Sequence, residues 1–506
     1  MSWSEIRFLP VDTAVAARHH TEAAAGNARV ADTAEATLLQ ALADAPDADG
    51  ATTHLLLKAA AGAGKSFILR RLITAAVEQD PDRLIGVAAF TNNQIRPLAL
   101  GLARQLGRER VCLHLAKTAA AGLPDGVEEQ VTVTTSAADI PDTARVIVAT
   151  AHKFKAPGER HRLLDALREG EEDATLFDAL FIDEAWQLPH HLFDAIHPLA
   201  PLAVGVGDVG QLPPLEIGEN PWRGDPRHNP YRAWPTAYAG LPGTREEELP
   251  TVWRPPGEAL ALWRAFYPDW RELNSVAAPG DRVVRVGSGA ASASLWEQVG
   301  TGQPTLLEVT GLPDSEAPDV DLPLMARLEE WLDELFTAGF TVESRDYDGT
   351  GAPTGEMLVD GPDRSDDGDP LVVILATRNQ AVDDATDMVA RLRERHGLRE
   401  RDLLASTVDS WQGQTNAITV AFHPLSGATR LDEFNSAFGR LAVACTRATH
   451  GLLVVTREGL DELLDRAPAR PGTPFGEPGF RQLPRQTHQK IIAAFARGTV
   501  SVDAGA

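Results

Sequence analysis

Cysteine is almost missing from this chain: Cys112 and Cys445 are its only two in 506 residues. That excludes a disulfide framework and any four-cysteine zinc or iron–sulfur site supplied by this chain alone, and it fits a reducing compartment. No apolar run reaches the 18–20 or so residues that span a bilayer. The opening Met1-Ser-Trp-Ser-Glu-Ile-Arg has no basic region followed by an apolar core, so no secretory signal is expected. A soluble, cytoplasmic protein is the expectation. Lysine is scarce, confined to Lys58, Lys65, Lys117, Lys153, Lys155 and Lys490. Positive charge as a whole is outweighed, with Lys+Arg 47 against Asp+Glu 72, a net of −25. This excludes a surface that is basic all over, but not nucleic acid, whose affinity depends on where the positive charge sits. No fixed-period repeat is evident, and no D…(D/E)-x-K nuclease constellation stands out.

What is present is a 43% hydrophobic composition, ample for several cores, arranged as short β-type runs alternating with helix-length amphipathic segments. That alternation predicts α/β architecture with parallel sheets covered by helices. A first set of runs covers 54–60, 83–91, 145–151, 178–185 and 202–208; a second covers 371–377, 417–423 and 451–456. The predicted organisation is an N-terminal domain over 1–215 with an insertion around 100–145, and a Trp/Arg-rich junction over 216–300. A C-terminal domain over 301–465 and a tail over 466–506 follow. Residues 341–370, acidic and rich in Gly and Pro, read as a flexible surface loop. Over 323–338, Leu324, Leu328, Trp331, Leu332, Leu335 and Phe336 share one helical face, read as packing.

Three segments carry chemistry. Ala59-Ala-Ala-Gly-Ala-Gly-Lys-Ser66 follows a strand-like run and opens a helix with the apolar stripe Ile68, Leu69, Leu72, Ile73 and Val77. Small residues such as Gly62, Ala63 and Gly64 let backbone N–H groups wrap a phosphate. Lys65 supplies charge to the terminal phosphates, and the Ser66 hydroxyl can ligate Mg²⁺. Leu180-Phe-Ile-Asp-Glu-Ala-Trp-Gln187 ends an apolar strand in two carboxylates. Asp183 would hold Mg²⁺ through water, and Glu184 would orient or deprotonate the attacking water. In Val206-Gly-Asp-Val-Gly-Gln-Leu-Pro-Pro214, Gln211 could bridge the γ-phosphate and a nucleic-acid site. Together the first two point to NTP hydrolysis.

The DEAxQ and GDxxQLPP phrases resemble superfamily 1 (1B) helicases, especially the branch containing the nonsense-mediated-decay helicase and its bacterial relatives. Those proteins are single-strand translocases built from two RecA-like P-loop NTPase domains with ATP in the cleft between them. The resemblance extends along most of the chain. Phe90-Thr-Asn-Asn93 is similar to the segment whose Thr and Asn grip the nucleic-acid backbone, which implies that role for Thr91 and Asn92. Ala149-Thr-Ala-His-Lys-Phe154 resembles the T-x-H-x-F element and implies contacts by Thr150 and His152. Leu249-Pro-Thr-Val-Trp-Arg-Pro-Pro256 implies that Arg254 reaches the γ-phosphate and that Trp253 packs on adenine. Thr407-Val-Asp-Ser-Trp-Gln-Gly413 resembles VDxxQG, implicating Thr407 with the strand and Gly413 with the nucleotide. Gly439-Arg-Leu-Ala-Val-Ala-Cys-Thr-Arg-Ala448 makes Arg447 the implied arginine finger, so that Arg447→Ala should silence turnover and leave the fold intact. An adenine-reading glutamine upstream of the P-loop corresponds by distance to Gln40. The family's sugar-contacting glutamate is Thr415 here.

The resemblance thus implies ATP and Mg²⁺ as cofactors, single-stranded DNA or RNA as partner, and 5′→3′ movement. A reading of a different class is a nucleic-acid-stimulated ATPase switch that licenses a partner, such as a nuclease in repair or phage defence, without processive unwinding. Trp222, Trp234, Trp253, Trp263 and Trp270, interleaved with arginines, suit either base stacking or an aromatic core, with the core favoured except at Trp253. His190-His191 reads as a surface turn, and Cys445 as a buried structural thiol.

Overall fold

The computed structural model describes residues 6–11, 16–45, 48–168, 175–210, 214, 229–289, 292–317, 320–362, 364, 368–432, 435, 437–467 and 484–502. Gln211 and Trp222 lie outside the described residues. The described chain forms two compact units: residues 26–249, and the residues before 26 together with those from 250 onward. Each has the α/β architecture of parallel sheets flanked by helices expected of two RecA-like domains.

In the unit 26–249, eight strands form one all-parallel sheet. Their order is Thr132–Thr134, Val111–His114, Val146–Thr150, Ile85–Ala89, Ala179–Asp183, Leu202–Asp208, His54–Ala59 and Thr244–Leu249. Central strands are buried on both faces, which is why they read as continuous apolar runs. The helix Lys65–Gln79 buries Ile68, Leu69, Leu72, Ile73, Ala76 and Val77, the stripe its spacing predicts, at about 1.5–3 kcal/mol for each large side chain. Trp234 stacks on Phe193, with ring centroids 4.0 Å apart, inside this unit's core.

In the second unit, seven strands are ordered Phe8–Leu9, Ala496–Ser501, Thr305–Thr310, Ala448–Arg457, Asn416–Phe422, Val372–Ala376 and Leu403–Thr407. All pairs are parallel except the one formed by Phe8–Leu9. The helix Leu322–Ala338 buries Leu324, Met325, Leu328, Trp331, Leu332 and Leu335 against this sheet's core.

Several expected boundaries move. The N-terminal unit ends at 249 rather than 215, because Thr244–Leu249 pairs in parallel with the strand His54–Ala59. Its sequence, TREEEL, lacks apolar character; backbone hydrogen bonding at a sheet margin, not burial, makes it a strand. The stretch 100–145 is not an insertion, since it supplies the two strands at the opposite margin. The span 216–300 is not one junction: Trp234 belongs to the first unit, while Trp263 and Trp270 are buried in the second. The acidic 341–370 stretch holds an antiparallel pair, Phe340–Tyr347 with Pro353–Asp360, beside Arg282–Val286. Its turn is closed by Asp348, whose Oδ1 accepts from Thr350 N and Ala352 N. The outer strand is exposed from Pro353 to Leu358, so composition alone reads as loop. The tail contributes the strand Ala496–Ser501. Among the described residues no helix is long and apolar enough to cross a membrane.

Candidate NTP site and strand-facing loops

The P-loop leaves the strand His54–Ala59 and turns into the helix Lys65–Gln79. Gly64, at φ 92°, caps that helix in the left-handed region, where a side chain would be strained. The first backbone N–H groups of any helix have no intrahelical acceptor, so this turn presents donors and positive dipole to an anion. Two strands away, Ala179–Asp183 ends at the same sheet edge, with Leu202–Asp208 between them. The carboxyl ends of parallel strands are where ligands bind in such folds.

Three carboxylates converge on Lys65. Its Nζ lies 2.8 Å from Glu184 Oε1, 3.1 Å from Glu184 Oε2 and 3.9 Å from Asp208 Oδ2. Burial is the largest influence on Lys65 and opposes its charge, but Glu184, then Asp208 and Asp183, hold its pKa above the usual value. Burial, followed by repulsion from Glu184, pushes the Asp183 carboxyl well up, with Lys65 acting against the shift. Glu184 itself has φ 49°, a left-handed conformation that costs a non-glycine residue about 1–2 kcal/mol. The turn it makes after Asp183 presses close to the neighbouring strand. A Cβ at Gly207 would lie 2.8 Å from Ala185 N, so only glycine fits there. Gln187 is buried and donates from Nε2 to Glu184 Oε2 at 3.2 Å.

This donor set suits a nucleotide with Mg²⁺. A hydroxyl at Ser66 and a carboxylate at Asp183 give few oxygen ligands, and Mg²⁺ characteristically keeps waters and shares phosphate oxygens rather than filling a protein cage. Among the described residues no group of three or more His, Cys, Asp or Glu is arranged to hold a metal.

Asn27 is the residue that sequence reading missed. It lies in the helix His20–Ala43, is buried, and donates from Nδ2 to the P-loop carbonyl of Ala63 at 2.9 Å. The signal was a lone polar residue on the stripe continued by buried Ala31, Ala34 and Leu38, legible as helical periodicity. Gln40 lies on the same helix, about 20 Å farther along its axis. It is exposed, and its amide donates to Asp44 Oδ1 at 2.6 Å.

The structure brings the Phe90–Asn93 and Thr150–Phe154 segments together at one sheet edge, because Ile85–Ala89 pairs with Val146–Thr150. Thr91 caps the helix Asn92–Leu106 through a capping box with Gln94, and Thr91 and Asn92 are exposed. Thr150 Oγ1 accepts from Lys153 N at 3.2 Å. The exposed His152 faces Phe90, with ring centroids 5.6 Å apart. Partial burial, then Lys155 and His191, keep the His152 pKa below its ordinary value. Beneath this loop Glu159 Oε1 accepts from His114 Nε2 at 2.6 Å and pairs with Lys153 Nζ at 2.8 Å, while Arg162 pairs with Glu159 Oε2. Burial would raise the Glu159 pKa, but these donors bring it down to about 2. His190 and His191 open the helix His190–Ile196 rather than forming a surface turn: His191 is exposed and close to Pro230 O, and His190 pairs with Asp194 one helical turn on at 3.1 Å.

In the second unit two distant arginines meet at Thr446. Arg254 Nη1 donates to Thr446 O at 3.0 Å, and Arg447 Nη2 to Thr446 Oγ1 at 3.0 Å. Arg447 also donates to Val443 O at 3.1 Å and Gln414 O at 3.3 Å, and is 1% exposed. Arg447→Ala, expected to leave the fold intact, would remove these bonds and this packing from the native core. Trp253 is half-buried, and Gly413 is exposed at φ 86°. Thr407 Oγ1 accepts from Ser410 N at 3.0 Å just past its strand. Cys445 is buried, which pushes its thiol pKa far up, as a structural thiol requires.

No family model matches the chain, and no curated protein matches it. Among solved structures it is similar to the PRRSV helicase, with 14% identity over 81% of this chain and 54% of that one, TM-score 0.35. A second is the complex of Arterivirus nonstructural protein 10 (helicase) with DNA, with 15% identity over 85% and 64%, TM-score 0.37. A third is the DUF1998 helicase MrfA bound to DNA, with 9% identity over 94% and 56%, TM-score 0.41. The chain spans between about half and two thirds of the length of these proteins.

Proposed function

We propose that the protein is an ATP-driven translocase or helicase on single-stranded nucleic acid, moving 5′→3′, of the superfamily 1 type and its nonsense-mediated-decay branch. The observation that carries this reading is the convergence of Lys65, Glu184, Asp183 and Asp208 at the P-loop edge of the first sheet. An ammonium held among carboxylates beside a helix N-terminus is equipped to exchange those partners for terminal phosphates. In this reading Ser66 and Asp183 hold Mg²⁺, which supplies Lewis-acid neutralisation of phosphate charge when bound. Glu184, freed from Lys65, orients and deprotonates a water. Arg254 and Arg447 neutralise charge on the transferring phosphoryl group. Thr91, Asn92, Thr150 and His152 grip strand phosphates, supported by the exposure of Thr91, Asn92 and His152 and the half-burial of Thr150 along one sheet edge, and Thr407 contributes a further contact. Gln211, Trp253 and Gly413 keep the roles their motifs imply.

ATP turnover measured with and without single-stranded DNA or RNA, followed by unwinding of 5′-tailed against 3′-tailed duplexes, tests the proposal. Strand-stimulated turnover with unwinding from 5′ tails is expected. Stimulation without unwinding assigns a switch that licenses a partner, unwinding only from 3′ tails reverses the direction, and turnover indifferent to any strand overturns the reading.

A further inference from the structure

A single chain of hydrogen bonds joins the Thr91 loop to the carboxylate beside the P-loop, using two glutamines to which the site as described gives no chemical task. Thr91 N donates to Gln94 Oε1 at 3.0 Å. Gln94 Nε2 donates to Gln187 Oε1 at 3.0 Å. Gln187 Nε2 donates to Glu184 Oε2 at 3.2 Å, and Lys65 Nζ reaches the same oxygen at 3.1 Å.

The two ends of this chain fix its direction. A backbone N–H can only donate and an ionised carboxylate can only accept. Each amide between them therefore has one orientation that satisfies both neighbours, and bonds aligned in one sense strengthen one another. Gln187 is 8% exposed, so water is a poor substitute for a lost partner, and a bond to a charged acceptor is worth more than a neutral one. The residues at the start of the chain, Thr91, Asn92 and Asn93, are exposed.

We propose that Gln94 and Gln187 are positioning residues that transmit the state of the Thr91 loop to Glu184, making hydrolysis responsive to a bound strand. A phosphate oxygen that accepts from Thr91 N displaces Gln94 Oε1. The Gln94 amide then re-aims, Gln187 follows, and Glu184 loses or gains a donor that competes with Lys65 for the same oxygen. This deepens the translocase reading and rests on it: it names the route by which strand engagement reaches the hydrolytic carboxylate.

The test uses two side chains of matched length in the full chain. Gln94→Glu keeps an acceptor for Thr91 N, and so keeps the capping box, but has no donor for Gln187. Gln187→Met removes both of the bonds made by Gln187. The readouts are basal ATP turnover, turnover saturated with oligo(dT) or oligo(U), and the strand Kd by fluorescence anisotropy. Gln94→Glu is expected to retain basal turnover and strand Kd while the stimulation ratio falls about tenfold, the scale of one charge-assisted bond. The double variant is expected to be no worse than Gln187→Met alone, since both residues lie on one route. An unchanged stimulation ratio in Gln94→Glu overturns the proposal, as do additive losses in the double variant or a ratio that falls only because strand affinity falls. If Gln187→Met melts below the assay temperature, the Gln94→Glu ratio decides alone. Absence of stimulation in the unaltered protein would instead remove the translocase reading and this inference with it.

Discussion

Lys65 Nζ sits 2.8 Å from Glu184 Oε1, so the cation that the P-loop offers to phosphate is held by the carboxylate that the proposed reaction needs for water. In the proposed cycle this pair opens when phosphate arrives, and it re-forms when phosphate leaves. Removing the lysine exposes what the pairing balances. Lys65→Ala should abolish measurable ATP turnover and also lower thermal stability at neutral pH, since losing one partner of a buried pair costs about 3–5 kcal/mol. Asp183, whose carboxyl pKa burial and Glu184 already push up, is left without the Lys65 charge that opposes the shift. A raised acid contributes stability below its unfolded pKa and loses it as pH rises through the folded pKa. The stability gap to the unaltered protein should therefore narrow as pH falls from neutral towards 4, measured by thermal melts across that range.

Glu184→Gln separates nucleotide binding from turnover. The amide preserves size and still reaches Lys65 as a neutral acceptor, so the fold and nucleotide affinity should persist. Turnover should drop by about 10²–10⁴, the usual contribution of a positioned acid–base group. Fluorescent-nucleotide binding beside a phosphate-release assay gives both numbers, and parallel loss of binding would remove Glu184 from the role of base.

Arg447→Ala should show two effects at once. Turnover should fall by about 10³-fold or more if the guanidinium neutralises the transition state. The melting temperature should also fall, because Val443 O, Gln414 O and Thr446 Oγ1 each lose the bond that Arg447 donates, a cost of about 2 kcal/mol. Arg447→Lys should recover part of the stability and little of the rate, since an ammonium cannot reproduce the planar fork. A variant that melts like the unaltered protein would show that the native bonds to these acceptors contribute little.

Asn27 and Gln40 give opposite expectations on one helix. Asn27→Ala leaves the buried Ala63 carbonyl without this donor and should raise the KM for ATP and lower stability by about 1–3 kcal/mol. Gln40→Ala removes an exposed bond to Asp44 and should change stability by less than about 0.5 kcal/mol, with the KM unmoved. A KM raised by the Gln40 change alone would support Gln40 as the base-reading residue.

Acid should undo the support beneath the Thr150 loop. Glu159 is held down at about 2 by Lys153, Arg162 and His114. It therefore contributes stability that is present above its unfolded pKa and is lost as pH falls through about 4 towards the folded value. Glu159→Gln should cost about 3–5 kcal/mol at neutral pH by leaving Lys153 and His114 without their anion. The difference between the two proteins should shrink over that acid window, as read from urea midpoints.

The sequence determined the parts that depend on near neighbours. Apolar runs ending at Ala59, Asp183 and Asp208 were legible because a doubly covered strand must be apolar along its length, and the P-loop was legible because its glycines and lysine lie together. The stripe of the helix Lys65–Gln79 followed from spacing alone. Marginal strands such as Thr244–Leu249 and Pro353–Asp360 were not legible, because what makes them strands is a partner's backbone and not their own burial. Local pattern could mark Asn27 as a polar residue on a buried stripe, but could not say that it meets the P-loop, that Arg254 and Arg447 share Thr446, or that Gln94 reaches Gln187. Those contacts join segments far apart in the chain, and hydrogen-bond distance is settled only when each unit folds its own strands and helices together.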